Sequence, residues 1–70
     1  MNKKYIRTTN ETLFNVLKNL NSYKSLNLSD GIISKITKDI NKLNNKGFGI
    51  KILGNNVELI NKDTFQVYKR

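Results

Sequence analysis

The hydrophobic period changes at Gly47, and that change limits the fold more than any other feature of the chain. Upstream, Ile32, Ile33, Ile36, Ile40 and Leu43 recur at the three-and-four spacing of one helical face. Downstream, Phe48, Ile50 and Ile52 alternate with Gly49 and Lys51 at the spacing of a strand. The pattern predicts a helix over 30–46. Ser29 is its N-cap, Asp30 sits at its positive end, and Leu28 staples onto Ile33. Lys46 suits the negative end and Gly47 is the left-handed stop. Gly54-Asn55-Asn56 then signals a hairpin. A two-residue turn at Gly54-Asn55 sets Ile52 against Val57, Lys51 against Glu58 and Ile50 against Leu59, one of two or three registers available. Asn61-Lys62-Asp63 turns the chain again, and Thr64–Tyr68 alternates as a candidate third strand through Phe65 and Val67.

Upstream, Leu13, Val16, Leu17 and Leu20, with Phe14 beside them, predict a first helix from Glu11 to Tyr23, capped by Thr9 or Asn10. Residues 24–28 (KSLNL) read as a very short strand or an extended connection. The order is helix, helix, hairpin. A lone hairpin is marginal in water, so its Ile50/Ile52/Val57/Leu59 face must pack on the helices. The expected class is α+β: a small domain of two or three helices followed by a β-hairpin, with a third strand optional. Residues 1–8 are a basic N-terminal arm, either loose or a short edge strand, and 9–70 form one domain. At 70 residues such a domain buries only about 60% of its unfolded surface.

The absence of cysteine and histidine removes disulfides and the usual zinc sites. No apolar run approaches the roughly 20 residues of a membrane span. The start, MNKKYIRTTNET, lacks the apolar core of a secretory signal, so a cytoplasmic location is expected. Abundant Asn, Lys and Ile suit an AT-rich genome, such as that of a bacterium, plasmid or phage. Thirteen Lys and Arg against five Asp and Glu leave +8, an imbalance that draws polyanions.

Much of that charge lies on the second helix. On a helical wheel Lys35, Lys38, Lys42 and Lys46 share an arc of about 80°, centred roughly 120° from the apolar arc. Ser34, Asn41 and Asn45 flank them, with Thr37 further round. Lysines at i, i+4, i+8 repel by a few tenths of a kcal/mol per pair. Asp39 is placed to relieve part of this through Lys35 or Lys42. A polyanion turns the repulsion into attraction through counterion release. Asn41 and Asn45 can read adenine edges, and Ser or Thr can serve groove edge or phosphate. The bland reading of the same face is a solvated surface.

The run from Asp39 to Ile50 (DINKLNNKGFGI), followed by a hairpin ending Val57-Glu58-Leu59, resembles the end of a winged helix-turn-helix domain, most of all that of biotin-repressor-type bacterial regulators. The resemblance covers roughly residues 32–60. It implies double-stranded DNA as partner, with the helix near 34–45 in the major groove and Ser34, Lys35, Thr37, Lys38, Asn41, Lys42, Asn45 and Lys46 as contacts. It also implies a wing contact by Asn55 and Asn56 with Lys51 nearby, an arm formed by Lys3, Lys4 and Arg7, and a homodimer with Tyr68, Phe65 and the first helix as candidate surfaces. Such domains put two helices and a tight turn between the first helix and the wing. Here three options stay open: Tyr23–Leu28 is a stunted second helix, Ile36-Thr37 breaks the stretch, or one long helix replaces both.

Catalysis is not expected. The acids Glu11, Asp30, Asp39, Glu58 and Asp63 are scattered, each with a local structural reason, and no phosphate-binding glycine loop is present. No cofactor, metal or small-molecule ligand is indicated. The alternatives are an RNA-binding protein using Tyr68, Phe65 and Phe48 for stacking, and a small basic module, such as a phage-encoded inhibitor, that binds an acidic protein.

Overall fold

The computed structural model describes residues 4–60 and 65–70. Strand β1 (Lys4–Thr8) is followed by helix α1 (Glu11–Leu20), strand β2 (Ser25–Asn27) and helix α2 (Asp30–Asn45). Strands β3 (Ile50–Leu53), β4 (Asn56–Leu59) and β5 (Phe65–Lys69) complete an α+β domain with two sheets.

Asn10 starts α1. Its side-chain oxygen accepts from the Leu13 N–H at 3.2 Å, the bond that defines an N-cap. Its amide donates to Asp39 Oδ2 at 3.2 Å, which ties the start of α1 to the middle of α2. Helix α1 stops at Leu20, short of Tyr23. The Asn21 side chain that follows accepts from the Phe65 N–H at 3.3 Å, so this asparagine serves β5 rather than another helical turn.

Helix α2 is one unbroken run of 16 residues. Neither short-helix option is taken: Ser25–Asn27 is a strand, and the helix passes through Ile36 and Thr37. The reason is local. From Ile32 to Asn45 there is no Gly or Pro, and the apolar stripe never shifts phase. One helix therefore stands where a winged helix-turn-helix has two and a turn. Ser29 holds the extended N-cap conformation, but its side chain makes no capping bond. The C-terminal end follows the expected stop: Gly47 sits at φ +88, its N–H bonds Asn44 O at 2.9 Å, and the Phe48 N–H bonds Leu43 O at 3.2 Å. That pair of bonds is the Schellman motif.

The hairpin adopts the expected register, with Ile50 opposite Leu59, Lys51 opposite Glu58 and Ile52 opposite Val57. Gly54 at φ +61, with no positive-φ non-glycine residue among those described, fits a II′ turn. The third strand of this sheet is β2, which lines up antiparallel to β4 and places β4 in the middle. Strand β5 exists as expected but does not extend the hairpin. It runs parallel to β1, with Ile6 opposite Val67 and Arg7 opposite Tyr68. Residues 4–8 are therefore an edge strand, not a loose arm. The turn expected at Asn61-Lys62-Asp63 lies outside the described residues.

Every element contributes to one core. Ile6, Leu13, Val16, Leu17, Leu20, Ile36, Ile40, Leu43, Ile50, Val57 and Phe65 are buried, with Leu26, Ile32, Ile33, Ile52 and Val67 packed at the margin. Among the described residues no polar side chain is buried, and no helix is long and apolar enough to cross a membrane.

Two stability predictions follow from this packing. Leu17→Ala empties a fully buried site and is expected to cost about 2–5 kcal/mol, read as a lowered urea midpoint. Asn10→Ala removes both the cap and the link to Asp39. Its expected cost is about 1–2 kcal/mol, and Asn10→Ser, which keeps a capping oxygen without setting a second carboxylate against Asp39, should recover part of it in the same titration.

Candidate nucleic-acid interface

Burial of Ile36, Ile40 and Leu43 fixes how α2 is turned. Ser34, Lys35, Lys38, Asn41, Lys42, Asn45 and Lys46 are all exposed, and at 100° per residue they fill one continuous arc of about 140°. Gly31 is the one other exposed residue between positions 31 and 46. The sequence supplies this segregation directly, because every position on the outer arc is Lys, Asn, Ser or Gly.

The acids do not quench it. Among the described residues the single ion pair is Lys69 to Glu11, at 3.1 Å and on the far strand from α2. Asp39, expected to relieve a lysine, is half-buried and accepts the Asn10 amide instead. Glu58 faces Lys51 across the hairpin but accepts from Asn56 at 3.2 Å rather than forming an ion pair. Lysines one turn apart have Cβ atoms about 5–6 Å from each other, inside the Debye length of about 10 Å, so their repulsion is felt at ordinary salt.

The other expected contact residues divide. Thr37 is half-buried and its hydroxyl donates back to Ile33 O, so it faces away from the cationic arc. Asn56 is also committed: its side chain accepts from Ser25 Oγ at 2.9 Å and donates to Glu58. Asn55 is exposed at the hairpin tip, and its carbonyl accepts from the Leu28 N–H at 2.8 Å. This bond seats the tip beside the start of α2. Lys51 is exposed on the outer face of the hairpin. Lys4 is no free arm residue. Its ammonium donates to Gly47 O at 2.9 Å and lies 5.6 Å from the Phe48 ring centroid, latching β1 to the end of α2. Lys3 lies outside the described residues.

No protein-family model, curated protein or solved structure matches this chain. The function therefore has to be read from the surface itself.

Arg7 is exposed and borders a shallow cleft with Lys42, Lys46 and Asp39. The cationic surface thus runs from α2 onto β1, not onto the hairpin. Sequence reasoning missed Tyr5 as a surface group. Tyr5 stacks on Tyr68, with ring centroids 5.8 Å apart, and the Arg7 guanidinium lies 5.4 Å from the Tyr68 ring centroid. The signal was present: Tyr5 and Arg7 alternate around Ile6, as Gln66 and Tyr68 alternate around Val67. Phe65, expected as a stacking or dimer residue, is buried in the core and offers neither role.

If the lysine arc is unpaired surface, removing charge from it should not weaken the fold. Lys38→Gln/Lys42→Gln is expected to leave the melting temperature unchanged or raise it slightly at low salt, by a few tenths of a kcal/mol per relieved pair. A marked fall would mean that these side chains hold the fold together.

Proposed function

We propose that the protein binds double-stranded DNA through the outer arc of α2, as a small bacterial or phage regulator of transcription or replication acting in the cytoplasm. The observation that carries this reading is the row of four lysines on one exposed helical side, with none of them in an ion pair among the described residues. A 16-residue helix is about 24 Å long, and B-DNA's major groove, about 12 Å wide, admits a helix. In that seating Asn41, Asn45 and Ser34 meet base edges, and the lysines, which all lie to one side of that row, meet the phosphates along one wall of the groove.

The two ends of α2 extend the contact differently. At its C-terminal end Arg7 adds a cation beside Lys42 and Lys46. At its N-terminal end the hairpin tip, Gly54-Asn55, is seated by the bond from the Leu28 N–H to Asn55 O. This supports a winged-helix-like use of the surface on a two-helix scaffold. One helix reads few base pairs, so a homodimer on two half-sites fits the reading. With Phe65 buried and Tyr68 stacked against Tyr5, the exposed side of α1 remains as its candidate surface.

An acidic protein partner is the second reading. It is favoured by a groove floored by Val16, Leu26, Leu28 and Ile32 and bordered by Lys35, which gives apolar contact beside positive charge.

Gel retardation of random duplex across a salt series tests the first reading. Affinity should fall steeply with salt, and Lys38→Ala/Lys42→Ala should flatten the log–log slope by roughly 0.9 per lysine removed. Absence of retardation at low salt would sink DNA binding and leave the protein-partner reading.

A further inference from the structure

We propose that the outer face of the β1–β5 sheet is a second, separate binding site, a stacking platform for the unpaired bases of single-stranded DNA. Tyr5 and Tyr68 lie on this face, 61% and 37% exposed. Their rings are nearly parallel, 19° apart and stacked. The Tyr68 hydroxyl donates to Gln66 Oε1 at 3.0 Å, and Arg7 sits against the Tyr68 ring, so that ring is held in place before any ligand arrives. The core has no need of either tyrosine. Ile6, Phe65 and Val67 fill the opposite face of the same two strands.

Exposed aromatic rings on a sheet, interleaved with cations, are what single strands use: the rings take the bases and the cations take the phosphates. Tyr5, Arg7, Gln66 and Tyr68 carry no negative charge between them. Through Arg7 the platform borders the cleft of Lys42, Lys46 and Asp39, where three cations face one carboxylate, so a strand lying on the tyrosines meets net positive charge as it leaves them. Every base has a π-face, and such a platform is tolerant of sequence. The stacking argument is independent of α2. The choice of DNA over RNA rests on the α2 reading.

The test uses the whole chain and a short fluorescently labelled oligothymidylate, with anisotropy as readout and a labelled duplex alongside. Tyr5→Ala/Tyr68→Ala should weaken oligothymidylate binding about tenfold or more while duplex affinity stays within about twofold. Tyr5→Phe/Tyr68→Phe, which keeps both rings, should bind the single strand like the parent. With no tryptophan in the chain, tyrosine emission is directly readable, and stacking should quench it on titration. Parent-like binding by the alanine pair overturns the platform, as does equal loss in the phenylalanine pair or no binding by the parent. Tighter binding of oligouridylate overturns the assignment to DNA. Lys35→Ala/Lys38→Ala, neither of which lines the cleft beside Arg7, separates the two sites: failure of its duplex effect counts against α2 and leaves the tyrosine result standing.

Discussion

Parallel pairing of the first and last strands is the constraint on which the rest of the molecule depends. It brings Ile6 and Phe65 into the core from opposite ends of the sequence. It also sets β1 against the end of α2, where Lys4 caps Gly47 O and Arg7 joins Lys42 and Lys46. Without β5, β1 would be a lone strand with unpaired backbone groups and nothing to hold Arg7 or Tyr5 in place. The surface on which both proposed sites meet is therefore a product of the least local contact in the chain.

The second determinant is the phase of the α2 stripe. Ile36, Ile40 and Leu43 have to face inward, since a domain this small has few other apolar groups to bury. Once they do, the outer arc follows from geometry alone. The lysines reach solvent because the isoleucines cannot, and among the described residues no carboxylate pairs with them; Asp39, on the boundary, accepts from Asn10. A single amide thus caps one helix and hydrogen-bonds the acid at the edge of the other helix's lysine arc.

What could be read from the sequence was what local chemistry decides. The period change at Gly47, the Schellman stop, the hairpin turn and its register all rest on neighbouring residues and appear as expected. So does the exposure of Lys35, Lys38, Lys42 and Lys46. What could not be read was which strand pairs with which. The sequence of Phe65–Lys69 fits the edge of the hairpin as well as it fits β1, and the seating of β2 on β4 takes only one of the hairpin's two edges. The misplacement of Phe65 and the omission of Tyr5 share this cause, because a strand's inner and outer faces cannot be assigned until its partner is known. Thr37 and Asn56 misled for another reason: short polar side chains satisfy nearby backbone or side-chain groups as readily as a ligand.

The β1–β5 pairing also governs how the fold is reached. Helices and hairpin can form from contacts a few residues apart, in microseconds, but the core stays open on one side until two distant segments meet. Loop-closure entropy opposes that meeting, and no local contact contributes to it before it happens. Assembly should thus be limited by a single late docking event, with Ile6 and its neighbours uncovered until then. The same seam is where a partly assembled copy would recruit a strand from another molecule.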